Sequence, residues 1–216
     1  MLKNLKMIAL VNFTQKKIWN VVGALVGWFA VFGQLVLIII NRQTDLFETV
    51  IRFFSYFTIL TNTLVALYFT SQISTVRALK FLKNNSSLTA ITGFILIVGL
   101  VYQFVLRSIW QPSGFQMIID ELLHTIIPMY VLVYWFMFII FEDLKPRLLF
   151  SWLLYPLIYF IVIMFRGSFS GFYPYPFVDA TSIGYTKVFG NFLVLSVIVM
   201  ILLSILYLLA RFFKKQ

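Results

Sequence analysis

His124 is the only histidine in the chain, and it stands in the segment Asp120-Glu121-Leu122-Leu123-His124-Thr125-Ile126-Ile127-Pro128. An imidazole exchanges protons near neutral pH, so at the lip of an apolar segment it is a candidate general base. Asp120 and Glu121 lie one helical turn before it, where either carboxylate can accept a hydrogen bond from one ring nitrogen and leave the other free. In a second apolar run, Ser55, Thr58, Thr61, Asn62 and Thr63 bring polar groups, and Ser55, Thr58 and Asn62 share one helical face. A threonine hydroxyl becomes a nucleophile once a neighbouring base takes its proton, and the Asn62 amide is a candidate donor to the resulting oxyanion. The plainer alternative is that the hydroxyls bond carbonyls one turn back, Asn62 bridges two helices, and His124 bonds a carbonyl at a helix interface.

Arg107 and Arg166 close two further apolar runs at the same end as His124, where they can hold an anionic headgroup or reach lipid phosphate. The chain has no cysteine, which removes disulfides, thiol catalysis and thiolate ligands. One histidine and scattered carboxylates do not make a metal set, so neither metal nor cofactor is expected. Pro128 lacks the amide that would bond the His124 carbonyl, which predicts a kink beside the imidazole.

The elements that must position these groups are apolar runs. Of the residues, 62% are hydrophobic and only 11% charged, more apolar surface than a soluble domain of this size uses. The runs cover residues 18–41, 53–76, 84–106, 122–141, 148–165 and 188–210, each long enough as a helix to cross a hydrocarbon core of about 30 Å. They are too long for barrel strands and do not alternate in and out. The predicted fold is all-α, a single polytopic membrane domain of six transmembrane helices, with no inverted repeat of the transporter kind.

Lys3, Lys6, Lys16, Lys17, Arg77, Lys80, Lys83, Lys145, Arg147, Arg211, Lys214 and Lys215 fall on one side, and Arg42, Arg52, Arg107, Arg166 and Lys187 on the other. A split of 12 against 5 puts both termini in the cytoplasm by the positive-inside rule. The formal charge of +10 sits in small groups at helix ends, which excludes a nucleic-acid partner in favour of topology and anionic lipid. The N-terminal run is too long for the apolar part of a signal peptide and is read as a retained helix. Trp110, Trp19 and Trp152 fit an interfacial aromatic belt. Thr58 comes about 9 Å inside Arg52 and His124 about 5 Å inside Glu121, on helices that both start outside, so the two are expected at similar depth in the outer leaflet.

Three segments carry a resemblance: Tyr56-Phe57-Thr58-Ile59-Leu60-Thr61-Asn62, the stretch from Asp120 to Pro128, and Gly171-Phe172-Tyr173-Pro174-Tyr175-Pro176-Phe177. In nearly its whole length the chain resembles bacterial six-helix membrane proteins of unassigned function. More distantly, in those three islands, it is similar to the androgen-induced and androgen-dependent TFPI-regulating proteins of animals. That family comprises multipass threonine hydrolases that cleave fatty acid esters of hydroxy fatty acids. The resemblance implies Thr58 as nucleophile, His124 as base and a bacterial cytoplasmic membrane location; the acidic pair before His124 and the turn at Pro128 differ from the animal pattern.

Two functions remain in view. One is an intramembrane lipid-ester hydrolase with Thr58 and His124 as its dyad, Asn62 and Asp120 in support, and a membrane lipid or lipid-like molecule as substrate. The other is a non-enzymatic binder or carrier of a small amphipathic molecule in the same polar cleft.

Overall fold

A computed structural model describes the backbone of residues 2–213 and the side chains of residues 14–213. The side chains of Lys3 and Lys6, and Lys214 and Lys215 altogether, lie outside the described residues. The chain is helical, with no strand among the described residues. Five helical segments are long and apolar enough to span a membrane: 14–40 within α1 (Leu2–Ile40), 85–106, 114–138, 146–170 and α10 (Tyr185–Phe213). A bent pair, α2 (Leu46–Ser55) and α3 (Phe57–Ile73), makes a sixth when counted as one span.

Local chemistry sets most of the boundaries. Asp45 caps α2 by accepting from the Glu48 amide, and Asn84 caps α4 (Asn85–Val101) by accepting from the Ser87 amide. Pro146 opens α7 (Pro146–Ser151), where a missing amide costs nothing. After a short turn, α8 (Leu154–Ser170) stops at Gly171, whose φ of 67° is left-handed backbone open to glycine. The helices exceed the expected runs at both ends of the chain: the first begins at Leu2, the fifth span reaches from Pro146 to Ser170, and the last extends from Tyr185 to Phe213. Polar and charged residues in their end turns carry the helices past the apolar runs.

The expected helix over 53–76 is corrected. It breaks at Tyr56, whose extended backbone (φ −83°, ψ 124°) turns α3 by 75° from α2. No proline or glycine marks the break. A continuous helix would pair the Ser55 carbonyl with the Ile59 amide and the Thr58 amide with the Phe54 carbonyl. Here the Tyr159 hydroxyl donates to the Ser55 carbonyl at 2.9 Å, and the Thr58 amide donates to the Tyr175 phenol oxygen at 3.2 Å. Two tyrosines remote in sequence therefore satisfy the backbone groups that the bend frees. Ser55 no longer shares a helix with Thr58 and Asn62; its hydroxyl bonds back to the Ile51 carbonyl.

The expected helix over 122–141 is also longer at its start. α5 (Gly114–Glu121) runs through a π-helical turn, Leu122–Ile126, into α6 (Ile127–Phe138). The π turn absorbs the amide missing at Pro128 without a break in the span, since the Ile127 amide reaches back to the Leu122 carbonyl. His124 consequently lies ten residues, about 15 Å, from the start of its helix at Gly114.

Phe53, Phe69, Leu88, Tyr134 and Trp135 are buried at the centre, and the Trp135 indole donates to Thr89 at 2.9 Å. Small residues let helices close up: a Cβ on Gly27 would come within 3.0 Å of Ala66, so α1 lies against α3 at a distance only glycine permits. Phe104, Phe165, Leu193 and Val194 are among many large apolar side chains left exposed, a surface suited to hydrocarbon. Asn85 and Ser86 hydrogen-bond to the Ile140 and Lys145 carbonyls at one end of the bundle. Residues Asn41, Pro112 and Tyr175, from three different connections, line one cavity at the other.

Candidate functional site

The cavity at that second end has a volume of about 860 Å³, and its lining includes Thr58, Asp120 and His124 together with Tyr56, Tyr102 and Tyr175. Two π turns build one wall. Val101 continues into a π-helical turn at Tyr102–Leu106, and the other π turn carries His124. Their rings stack with centroids 4.2 Å apart and planes 14° from parallel. Gly99 permits this, because a Cβ there would stand 3.0 Å from the His124 carbonyl oxygen and 3.4 Å from Pro128. A polar ring then locks the two turns together: Arg107 donates to Gln103, Gln103 to Thr125, and both Thr125 and Arg107 donate to Glu121.

His124 Nδ1 lies 2.9 Å from the Asp120 carbonyl oxygen and 3.4 Å from Asp120 Oδ1. A carbonyl only accepts, so Nδ1 carries the proton, and in the neutral ring Nε2 keeps a lone pair. Asp120 is one of the few buried ionisable groups, its side chain 7% exposed, and its Oδ2 makes no hydrogen bond although the Tyr102 phenol and Trp110 indole stand beside it.

Thr58 sits in the first turn of α3, where amides have no partner within the helix. Tyr175 supplies one: its phenol lies 3.2 Å from the Thr58 amide and 3.2 Å from Oγ1. Burial pushes the Tyr175 phenol up to about 12, so the group stays neutral and can both accept from the amide and donate to the hydroxyl. The loop holding Tyr175 is braced by Tyr175 stacking on Phe177 at 5.1 Å and by the guanidinium groups of Arg52 and Arg166 over the Phe172 ring. A second, apolar chamber of about 90 Å³, walled by Ile97, Val101, Phe160, Phe192 and Val199, adjoins the first; Thr58, Leu106 and Tyr175 line both.

Of the residues singled out from sequence, Thr58, Asp120 and His124 line the large cavity, whereas Asn62, Arg107 and Arg166 do not. No hydrogen bond of normal length joins Thr58 to His124 among the described residues. Asn62 is fully buried, and its amide donates to the Thr58 carbonyl at 2.9 Å and the Leu123 carbonyl at 3.3 Å, so it ties α3 to the His124 helix instead of pointing a free donor at an oxyanion. Arg107 pairs with Glu121, and Arg166 pairs with Glu48 at 2.6 Å. Tyr102 and Tyr175 are among the lining residues that sequence reasoning did not single out. Tyr175 lies in the segment 171–177 that carries part of the resemblance, while nothing distinguishes Tyr102 from the other aromatic residues. No group of three or more His, Asp or Glu side chains that could hold a metal ion occurs among the described residues.

Compared with protein-family models, curated proteins and solved structures, the chain finds no match.

Proposed function

We propose that the chain is an intramembrane lipid-ester hydrolase in which Thr58 is the nucleophile and His124 the general base. The observation that carries it is the presence of both side chains on the lining of one cavity, with Nδ1 of His124 occupied and Nε2 left as the basic nitrogen. Thr58 Oγ1 attacks the ester carbonyl carbon while Nε2 takes its proton. The carbonyl oxygen becomes an oxyanion, for which the Thr58 amide would be a donor once the Tyr175 phenol withdraws. Collapse expels the alkoxide, which takes the proton from His124. Water then attacks the acyl-threonine, giving one proton to Nε2 and releasing the carboxylic acid as Thr58 regains its own. The apolar chamber beyond Thr58 suits part of the acyl chain.

The same proposal places the chain in a bacterial cytoplasmic membrane with both termini inside and the cavity toward the outer leaflet. The charge distribution along the sequence supports this orientation: 12 of the 17 basic residues fall on the side assigned to the cytoplasm.

A fluorophosphonate probe on detergent-purified protein tests the dyad. Labelling is expected for wild type and absent in folded Thr58→Ala and His124→Ala variants. Labelling of Thr58→Ala at the wild-type rate overturns the nucleophile. Wild type that binds amphiphiles yet never labels is a binder or carrier.

A further inference from the structure

The large cavity has a charge pattern that ester hydrolysis does not need. Among the described residues Asp120 is the only carboxylate in its lining, and none of the five basic residues assigned to this end, Arg42, Arg52, Arg107, Arg166 and Lys187, lines it. Three are engaged elsewhere: Arg52 and Arg166 with Glu48, and Arg107 with Glu121. A carboxylate or phosphate entering the cavity would meet Asp120 with no guanidinium or ammonium group to offset it.

The Asp120 carboxylate is itself incompletely matched. Its Oδ1 has His124 at 3.4 Å, while Oδ2, in a side chain 7% exposed, has the Tyr102 phenol and Trp110 indole beside it but accepts no hydrogen bond of normal length. A buried carboxylate oxygen without a donor is costly, and a donor arriving with a ligand relieves that cost. Tyr102 and Trp110 stand beside the carboxylate, and Tyr56 lines the same cavity, so aromatic side chains border the position a cation would take.

We propose that this cavity binds the protonated primary amine of an amphiphile, with the Asp120 carboxylate accepting its N–H. A primary ammonium meets both needs, supplying a donor and a balancing charge, whereas a quaternary ammonium supplies only charge. The site stands whether or not Thr58 is a nucleophile. If the hydrolase reading also holds, it assigns the substrate an amine-bearing headgroup.

Hexylammonium, hexyltrimethylammonium and hexanoate, which share one chain length, test the site in a neutral detergent. Binding is followed by tryptophan fluorescence, with Trp110→Phe showing how much of the signal arises at the cavity, and by thermal unfolding. Hexylammonium is expected to bind saturably and about tenfold or more tighter than hexanoate, the factor one charge-assisted hydrogen bond supplies. Hexyltrimethylammonium should fall between, and Asp120→Asn should erase the preference. Hexanoate binding as tightly as hexylammonium to wild type overturns the proposal without any variant, as does an unchanged preference in Asp120→Asn. The series repeated in Thr58→Ala separates the two claims: a retained ammonium preference there keeps this site even where phosphonate labelling fails.

Discussion

The Tyr175 phenol rests on Thr58, 3.2 Å from both its amide and its hydroxyl, across 117 residues of sequence. One group thus caps the first turn of α3 and lines both the polar cavity and the apolar chamber. In the proposed hydrolysis, attack by Thr58 would require the phenol to move.

Tyr175→Phe removes that competitor. Fluorophosphonate labelling of Thr58 should accelerate about fivefold, the equivalent of one hydrogen bond of about 1 kcal/mol no longer broken before attack. Slower labelling in a variant that unfolds at the wild-type temperature would make the phenol a helper of the reaction.

Asn62→Leu should lower stability by about 1–3 kcal/mol, because the Thr58 and Leu123 carbonyls lose a buried donor. Thermal unfolding in detergent measures it. An unchanged midpoint would mean that the tie between α3 and the His124 helix carries no net stability.

Gly99→Ala should cost about 1–3 kcal/mol, since the added methyl meets a backbone oxygen, which cannot rotate away, at 3.0 Å. The His124 backbone must shift by a few tenths of an ångström to admit it, so ligand-dependent fluorescence from Trp110 should weaken together with the unfolding temperature.

Arg166→Ala releases Glu48 and one cation from the Phe172 ring. The pair is partly exposed, so global stability should change by only about 1 kcal/mol. Limited proteolysis between Gly171 and Asp179 should nevertheless quicken, and an unchanged cleavage rate would show that Arg52 and the Tyr175 contacts suffice to hold the loop.

Asp179 caps α9 (Ala180–Ile183) and is held below the usual carboxylate range by hydrogen bonds from Ser182 and Thr181. A carboxyl whose folded value is depressed stabilises the fold fully above its unfolded value and loses that contribution as pH falls through the folded one. Amide exchange in residues 180–184 should therefore be slow at neutral pH, quicken relative to the rest of the chain on acidification past the carboxylate range, and be fast at every pH in Asp179→Ala.

The helical content and the presence of five to six apolar spans were legible in the residues, because transfer from water to hydrocarbon depends on composition over about twenty consecutive positions. Thr58 and His124 stood out for the same reason, as polar groups in segments where each has to be accounted for. Helix ends were less legible: the residues that carry α5 from Gly114 to Glu121 mix polar and apolar types, and hydropathy alone undercounts such a start.

The bend at Tyr56 was not legible at all. Neither proline nor glycine signals it, and its freed amide and carbonyl find their partners in Tyr175 and Tyr159, 117 and 104 residues away. The same holds for the stacking of Tyr102 on His124 and for the two arginines spent on glutamates outside the cavity, whereas Asn62 as a bridge between helices is one of the two alternatives the residues themselves offered. Sequence by itself determined which segments are helical and apolar and which polar residues lie within them, since those properties are local sums. Only the tertiary structure decided which of those groups face one cavity and which are satisfied elsewhere, because a buried hydrogen bond depends on where remote side chains arrive after packing.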